Sequence, residues 1–90
     1  MSVVEIYTWK DCPYCLRAKE ILERHHVQYH EFCIDGDDEA RRLMTARAGG
    51  HSSVPQIFLD NEHLGGCAHL TELEEANQVE ATFDIARDQE

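Results

Sequence analysis

A pair of cysteines follows an apolar segment almost directly, and this junction limits the possible folds more than any other feature of the sequence. Residues 3–8 are rich in β-branched and aromatic side chains and carry one charge, which is typical of a buried strand. From Pro13 onward, apolar residues recur at helical spacing, and a proline is well tolerated in the first turn of a helix. The sequence therefore predicts a strand followed by a helix, with Cys12 at the join.

The middle of the chain continues this alternation of strand and helix. Residues 29–34 are predicted to form a second strand, and residues 35–38 a turn that places acidic side chains near the positive end of the next helix. Glycines at positions 49 and 50 are expected to end that helix. Its inward side is predicted to consist of Ala40, Leu43, Met44 and Arg47.

The last third of the chain is predicted to form a hairpin and a helical region. Residues 56–59 and 62–64 have the composition of short strands, and Asp60-Asn61 between them tolerates the positive φ of a tight turn. A break at Asn77-Gln78 is expected to divide the helical region into two helices. Its apolar side chains are Leu70, Leu73, Phe83 and Ile85. The whole pattern predicts one domain over residues 1–90, with the order β-α-β-α-β-β-α and four strands that are first parallel and later antiparallel.

Charge and hydropathy exclude several classes of function. The formal charge is −10, and residues 51–90 carry one basic and nine acidic side chains. Because phosphate binding needs a basic surface, no nucleic-acid partner is expected. No apolar run approaches the roughly 20 residues that cross a bilayer, and the first residues lack the pattern of a signal peptide. We therefore expect a cytoplasmic monomer without a membrane partner.

The Cys12–Cys15 spacing suits reversible thiol chemistry. Cytosolic thiols are kept reduced, so four cysteines in such a chain favour catalysis or metal binding over permanent disulfides. A cysteine just before a helix faces orphan N–H groups and the positive end of the helix dipole, and both favour the nucleophilic thiolate. Cys15 lies one helical turn deeper and is expected to be the less exposed of the two. We interpret Cys12 as an exposed attacking thiol and Cys15 as the resolving thiol.

Half of a zinc site is the alternative interpretation of a lone CxxC, because zinc sites are commonly built from such pairs. The second pair of ligands is missing from the sequence. Cys33 and Cys67 are isolated, and His26 and His30 are four residues apart across a predicted change from helix to strand. No metal ligand is predicted.

Three motifs occur in a fixed order along the chain: CPYC after a strand, SVPQIF at residues 53–58, and GGC at residues 65–67. In this order and spacing the sequence closely resembles the dithiol glutaredoxins with a CPYC motif (class I), especially the short bacterial glutaredoxin 3 type. The resemblance covers about residues 3–73. It implies an α/β, thioredoxin-like fold with a four-stranded mixed sheet and helices on both faces. It also implies glutathione as a co-substrate, with no permanently bound cofactor.

The resemblance further implies where glutathione binds. A cis peptide bond is implied between Val54 and Pro55, with the main chain of Val54 pairing with the cysteinyl part of glutathione. The turn at Gly66 and Cys67 is implied to receive the γ-glutamyl end, and Tyr14 to border the groove.

Two departures from the family pattern concern this same site. Ala68 and His69 stand where relatives of this type carry two aspartates, the first of which helps to hold the glutamyl ammonium. Many relatives also carry a lysine that meets a glutathione carboxylate, and Trp9 stands at that position here, with Lys10 one place later. Whether Lys10 or Arg47 takes over this contact is left open by the sequence.

The resemblance implies an enzyme that reduces protein disulfides and glutathione mixed disulfides, in cell redox homeostasis and electron transfer. Glutathione, recharged by the glutathione reductase system, would supply the electrons. One alternative is a glutathione-ligated [2Fe–2S] carrier built on Cys12 of two chains, which Pro13 disfavours because cluster-binding relatives more often have a small residue there. The other is a dithiol reductant fed by thioredoxin reductase, which the changes at Trp9 and Ala68 make worth testing.

Overall fold

A computed structural model describes residues 3–83 of the chain, so the predicted core residue Ile85 lies outside the described residues. The strands are β1 (Val4–Thr8), β2 (His30–Cys33), β3 (Gln56–Leu59) and β4 (Glu62–Gly65), and the helices are α1 (Pro13–Arg24), α2 (Asp38–Arg47), α3 (Cys67–Glu75) and α4 (Val79–Thr82). The predicted order of elements is confirmed. Asn77, at a φ of 58°, lies between α3 and α4, as the predicted break required.

The four strands form one mixed sheet in the order β2-β1-β3-β4. β1 pairs in parallel with β2 and antiparallel with β3, which in turn pairs antiparallel with β4. The predicted hairpin between β3 and β4 is confirmed, because Asp60 and Asn61 have φ values of 50° and 70°. β1 is therefore an inner strand, and it leads straight to the paired cysteines.

Helices cover both faces of the sheet, as expected from the resemblance. Successive strand residues point to opposite faces, so Ile57 and Phe58 belong to two different core clusters. Ile57 packs with α1, α3 and α4, in a cluster that includes Leu22 and Leu70. Phe58 packs with α2, chiefly against Met44. The sheet is thus held rigidly between two apolar layers, and the ends of its strands have fixed positions.

The prediction for the inward side of α2 is wrong at one residue. Met44 and Ala48, one helical turn apart, are fully buried, and Ala40 packs against the same cluster. Leu43 is 54% exposed, because it lies about 100° around the helix from Met44. Arg47 does lie on the inward side, with its guanidinium carbon 4.1 Å from the centre of the Phe58 ring.

Within residues 3–83, each helix is too short or too polar to span a lipid bilayer.

Candidate active site

Cys12 occupies the position just before the first turn of α1. Its backbone is extended, with φ −121° and ψ 106°, and Pro13 begins the helix behind it. The main-chain N–H of Cys15 donates a hydrogen bond to Cys12 Sγ over 3.1 Å. The sulfur thus takes the role that a serine or aspartate oxygen has at other helix starts, where it satisfies an otherwise unpaired N–H group. This contact favours a negative charge on Cys12 Sγ.

The two thiols differ in burial in the expected order, but the expectation that Cys12 is exposed is wrong. Cys12 is 9% exposed and Cys15 is 1% exposed. The reason is local: Cys12 Sγ turns back onto the first turn of α1 to accept the N–H of Cys15, and so it does not project into solvent. An incoming disulfide can therefore reach Cys12 through a small opening only, and it has almost no access to Cys15.

Burial also sets the protonation state of the second thiol. Burial, and then the hydrogen bond with Cys12, raise the pKa of Cys15 to about 12 from an ordinary value of 9.0. A negative charge on Cys12 acts in the same direction, because it opposes a second charge beside it. Cys15 therefore keeps its proton at neutral pH.

A cavity of about 710 Å³ borders the first two turns of α1 and the start of α3. Its lining includes Tyr14, Val54, Pro55, Gly66 and Cys67 of the implied glutathione site, and also Ala68, which departs from the family pattern. These residues come from α1, from the loop before β3 and from the start of α3. Segments far apart in sequence thus meet around one space, which is also lined by Tyr14 of the CPYC motif.

Two main-chain segments approach closely at one wall of this cavity. The Val54-Pro55 peptide bond is cis, as the resemblance implied. A β-carbon placed on Gly66 would lie 3.0 Å from the carbonyl oxygen of Pro55. The GGC motif therefore needs a glycine at position 66, because a side chain there would push the start of α3 away from the loop before β3.

The start of α3 offers unpaired main-chain donors to the cavity. Gly66 is the residue before the helix and has no side chain to cap it. The first turn of α3, which lies wholly within the described residues, carries no acidic side chain. Residues 66–69 all line the cavity. A helix start of this kind favours an anion such as a carboxylate, since its N–H groups and dipole both attract negative charge.

The family model for glutaredoxin matches residues 4–64. This chain belongs to the glutaredoxin family. A probable glutaredoxin of Synechocystis is 51% identical over 77 residues, which cover 86% of this chain and 88% of that protein. Glutaredoxin 3 of Escherichia coli is 47% identical over 74 residues, which cover 82% and 88% of the two chains. The resemblance to the short bacterial glutaredoxin 3 type is thereby confirmed.

A solved structure supports the same assignment. The solution structure of a glutaredoxin from Brucella melitensis superposes with a TM-score of 0.79 at 34% identity, over 97% of this chain and 94% of that one. The thioredoxin-like fold is therefore confirmed. Glutaredoxins are thiol–disulfide oxidoreductases, and the adjacent Cys12 and Cys15 have the arrangement that such an activity requires.

Lys10 and Arg47, the two residues that could take over the contact of the missing family lysine, do not line the cavity. The main-chain N–H of Lys10 bonds to Asp35, and Lys10 is absent from the described residues that line the cavity. Arg47 Nη2 lies 2.9 Å from Glu5 Oε1, and this pairing, with a bond to the Tyr7 hydroxyl, holds it beside Phe58. The assignment of Lys10 to glutathione therefore stays a prediction.

Sequence reasoning missed the basic side chains that do line the cavity. Arg17, an exposed residue of α1 five positions after Cys12, lies at the cavity wall. His51, His63 and His69 also line it, although they are far from the CPYC motif in sequence. Only the folded chain brings them together, so no local pattern could have indicated them.

Trp9, which stands where many relatives carry a lysine, is 38% exposed. The guanidinium carbon of Arg41 lies 4.8 Å from the centre of its ring. This cation–π contact fixes the indole against α2 beside the cysteines.

Proposed function

We propose that this chain is a glutathione-dependent thiol–disulfide oxidoreductase of the cytoplasm that reduces protein disulfides and glutathione mixed disulfides. Cys12 is the nucleophile and Cys15 the resolving thiol. The observation that carries the proposal is the cavity of about 710 Å³ that is lined by Tyr14, which stands between these two cysteines in the sequence, together with Val54 and the start of α3.

The chemistry of the cavity suits a small peptide with two carboxylates. One carboxylate would accept N–H groups at the start of α3, and Arg17 could pair with the other. The main chain at Val54 would bond to the central residue of the peptide, and Tyr14, which is 61% exposed, would cover it. A buckwheat glutaredoxin of the same fold has been solved as a complex with glutathione.

The first step of the proposed reaction is an attack by the Cys12 thiolate on a mixed disulfide. The thiolate forms a bond to the glutathione sulfur, the original S–S bond breaks, and the substrate leaves as a thiolate that takes a proton from water. The product is a mixed disulfide between Cys12 and glutathione. No net oxidation occurs in this step, because one S–S bond replaces another.

Cys15 acts in the second step, after Cys12 has reacted. In the mixed disulfide, Cys12 Sγ carries no charge, so one cause of the high pKa of Cys15 is removed. Cys15 then attacks Cys12 Sγ and its proton passes to the departing glutathione sulfur, which releases glutathione and leaves a Cys12–Cys15 disulfide. Protein disulfides follow the same route with the protein sulfur in place of glutathione.

Two molecules of glutathione complete the cycle. The first opens the Cys12–Cys15 disulfide and forms a mixed disulfide on Cys12. The second attacks the glutathione sulfur, which releases oxidised glutathione and restores both thiols. Potentials typical of glutaredoxins, about −200 to −230 mV, allow the glutathione pool to drive this return.

The proposal is tested by glutathione-coupled reduction of a small glutathione mixed disulfide. We expect turnover by the native protein and by Cys15→Ser, because this reaction needs the mixed disulfide on Cys12 alone, and no turnover by Cys12→Ser. Reduction of a protein disulfide should require both cysteines.

Turnover that persists in Cys12→Ser would refute the assigned nucleophile. Absence of glutathione-coupled turnover in the native protein, together with reduction of a protein disulfide when thioredoxin reductase and its nucleotide are supplied, would refute glutathione as the electron donor.

A further inference from the structure

Three histidines from separate segments of the chain meet at the cavity. His51 lies in the loop before β3, His63 in β4, and His69 in the first turn of α3. The rings of His51 and His63 are 5.8 Å apart between centres, with planes inclined by 33°. His69 is close enough for its charge to act on His63. The cavity therefore has a wall whose charge depends on proton binding.

The hydrogen bonds around His63 define how it takes up a proton. Gln56 donates from Nε2 to the carbonyl oxygen of Ser53 over 3.0 Å, which fixes the direction of its amide. Gln56 Oε1 then lies 2.6 Å from His63 Nε2, so this nitrogen carries the hydrogen and donates it. Nδ1 is left as the nitrogen that gains a proton at lower pH. Protonation thus charges His63 without breaking its bond to Gln56.

The charged and titratable groups that line the cavity come from four parts of the chain: Tyr14 and Arg17 of α1, His51 of the loop before β3, His63 of β4, and Cys67, His69 and Glu72 of α3. Among the described lining residues, Glu72 is the one carboxylate. Its Oε1 lies 4.0 Å from His69 Nδ1, and its side chain is 77% exposed. A single exposed carboxylate offsets little of the positive charge that Arg17 and three protonated rings would create.

We propose that His51, His63 and His69 form a proton-dependent binding wall for a carboxylate of the small-molecule thiol, an inference that rests on the proposed function. A carboxylate bound at this wall reduces the repulsion among the protonated rings, so anion binding and proton binding strengthen each other. The consequence is a cavity that takes a dicarboxylate ligand more tightly as pH falls and releases it as pH rises.

The lowered pKa of His63 agrees with tighter binding of a carboxylate at low pH. Burial lowers the pKa of His63, and the positive charges of His51 and His69 lower it further. His63 therefore takes up its proton below the range of an ordinary histidine. A bound carboxylate offsets the positive charges of His51 and His69. It should therefore increase the number of protons that the three histidines bind.

The test is equilibrium binding of S-methylglutathione, which keeps both carboxylates and cannot exchange disulfides. Calorimetry is done on Cys12→Ser at pH 5.5 and at pH 8, so that titration of the Cys12 thiol makes no contribution. We expect binding to be about tenfold tighter at pH 5.5, with net proton uptake shown by buffers of different ionisation enthalpy.

Variants separate the histidine wall from other causes. His51→Gln and His69→Gln, added singly to Cys12→Ser, should each reduce the ratio of affinities between the two pH values. His30→Gln should leave the ratio unchanged, because His30 is an exposed residue of β2 at the opposite edge of the sheet. The dimethyl ester of S-methylglutathione, which lacks both carboxylates, should show no tighter binding at pH 5.5 than at pH 8.

The histidine wall and the proposed function are contradicted by different results. Binding of S-methylglutathione with an affinity that is the same at both pH values would overturn the histidine wall and leave the proposed function intact. A ratio of affinities between pH 5.5 and pH 8 that is the same in His51→Gln, His69→Gln and His30→Gln would also overturn the histidine wall. No binding at either pH would contradict the proposed function itself.

Discussion

Gly66 and Pro55 pack main chain against main chain, so closely that a β-carbon on Gly66 would lie 3.0 Å from the Pro55 carbonyl oxygen. This contact joins the start of α3 to the loop before β3, and these two segments form facing parts of the cavity wall. The width of the cavity at this point is therefore set by the backbone and not by flexible side chains.

Substitution of Gly66 by alanine should widen this junction by a few tenths of an ångström. We expect the KM for a glutathione mixed disulfide to rise about tenfold, because the donors at the start of α3 move away from their ligand. Gly49→Ala is the control: it has open space for a β-carbon but a φ of +65°. That variant should lose about 1 kcal/mol of stability with an unchanged KM. Similar KM values in both variants would argue against a role for the Gly66–Pro55 contact.

Replacement of Ala68 by aspartate should restore the carboxylate that relatives of this type carry. Ala68 is exposed and lines the cavity, so the new side chain can reach a bound ammonium group. We expect the KM for a glutathione mixed disulfide to fall roughly five- to a hundredfold, which corresponds to about 1–3 kcal/mol. Ala68→Asn, of similar shape and without charge, should change KM little. An equal effect of both substitutions would show that charge is not the cause.

Alkylation of the reduced protein by iodoacetamide at pH 7 should distinguish the thiols. With a pKa of about 12, Cys15 is present as thiolate in roughly one molecule in 100,000 at this pH. Cys33 is exposed and should react at least about 100-fold faster than Cys15, as measured by mass spectrometry of peptides. Removal of Cys12 should raise the rate at Cys15 only modestly, because burial is the main cause of its high pKa. Equal rates at Cys15 and Cys33 would contradict the burial described above.

His25 should make stability depend on pH. Its Nε2 lies 2.9 Å from Glu74 and its Nδ1 3.1 Å from Glu80, so it links α1 to α3 and α4. The hydrogen bond to Glu80 is the main cause that raises the pKa of His25 above 6.5, and the bond to Glu74 adds to it. A raised pKa means that this stabilisation is complete below about pH 6.5 and is lost as pH rises through the raised value.

His25→Gln should therefore lower the free energy of unfolding by about 1 kcal/mol at pH 5.5 and by clearly less at pH 8.5. Urea unfolding at the two pH values measures this difference. His30→Gln serves as the control and should show no comparable dependence. A loss in His25→Gln that is the same at both pH values would exclude an ionic contribution.

Two neighbouring residues of α2 test the assignment of its buried side. Met44 is fully buried beneath Phe58, whereas Leu43 is 54% exposed. We expect Met44→Ala to lower the free energy of unfolding by about 2–4 kcal/mol, because it leaves a cavity in the core. Leu43→Ala should change it by less than about 0.5 kcal/mol. A larger loss for Leu43→Ala would reverse the orientation of the helix.

Local patterns were enough to predict most of the fold. Short stretches of sequence determine most of the elements, because each signal acts on its nearest neighbours. Examples are the apolar segment before Cys12, the proline after it, and the positive-φ residues Asp60 and Asn61. The order of the elements followed from these signals. The side of α2 that faces the sheet was less certain, since Leu43 and Met44 are adjacent apolar residues and only packing decides between them.

The composition of the cavity wall could be predicted only in part. Tyr14, Val54 and Gly66 belong to motifs for which the resemblance to glutaredoxins implies a role in glutathione binding. Arg17 and the histidines have no such motif, and their positions depend on how α1, β4 and α3 meet in space. For the same reason the sequence did not reveal that Cys12 is nearly covered, because its exposure depends on where its sulfur turns after folding.

The 9% exposure of Cys12 has a consequence for the choice of protein targets. Disulfide exchange needs the incoming sulfur to approach Cys12 Sγ in line with the bond that breaks. A disulfide set into a flat surface cannot meet this demand at a recessed sulfur, whereas one on a protruding or locally unfolded segment can. We therefore expect this protein to select its partners by how far their disulfides stand out from the surface, and much less by the residues that surround them.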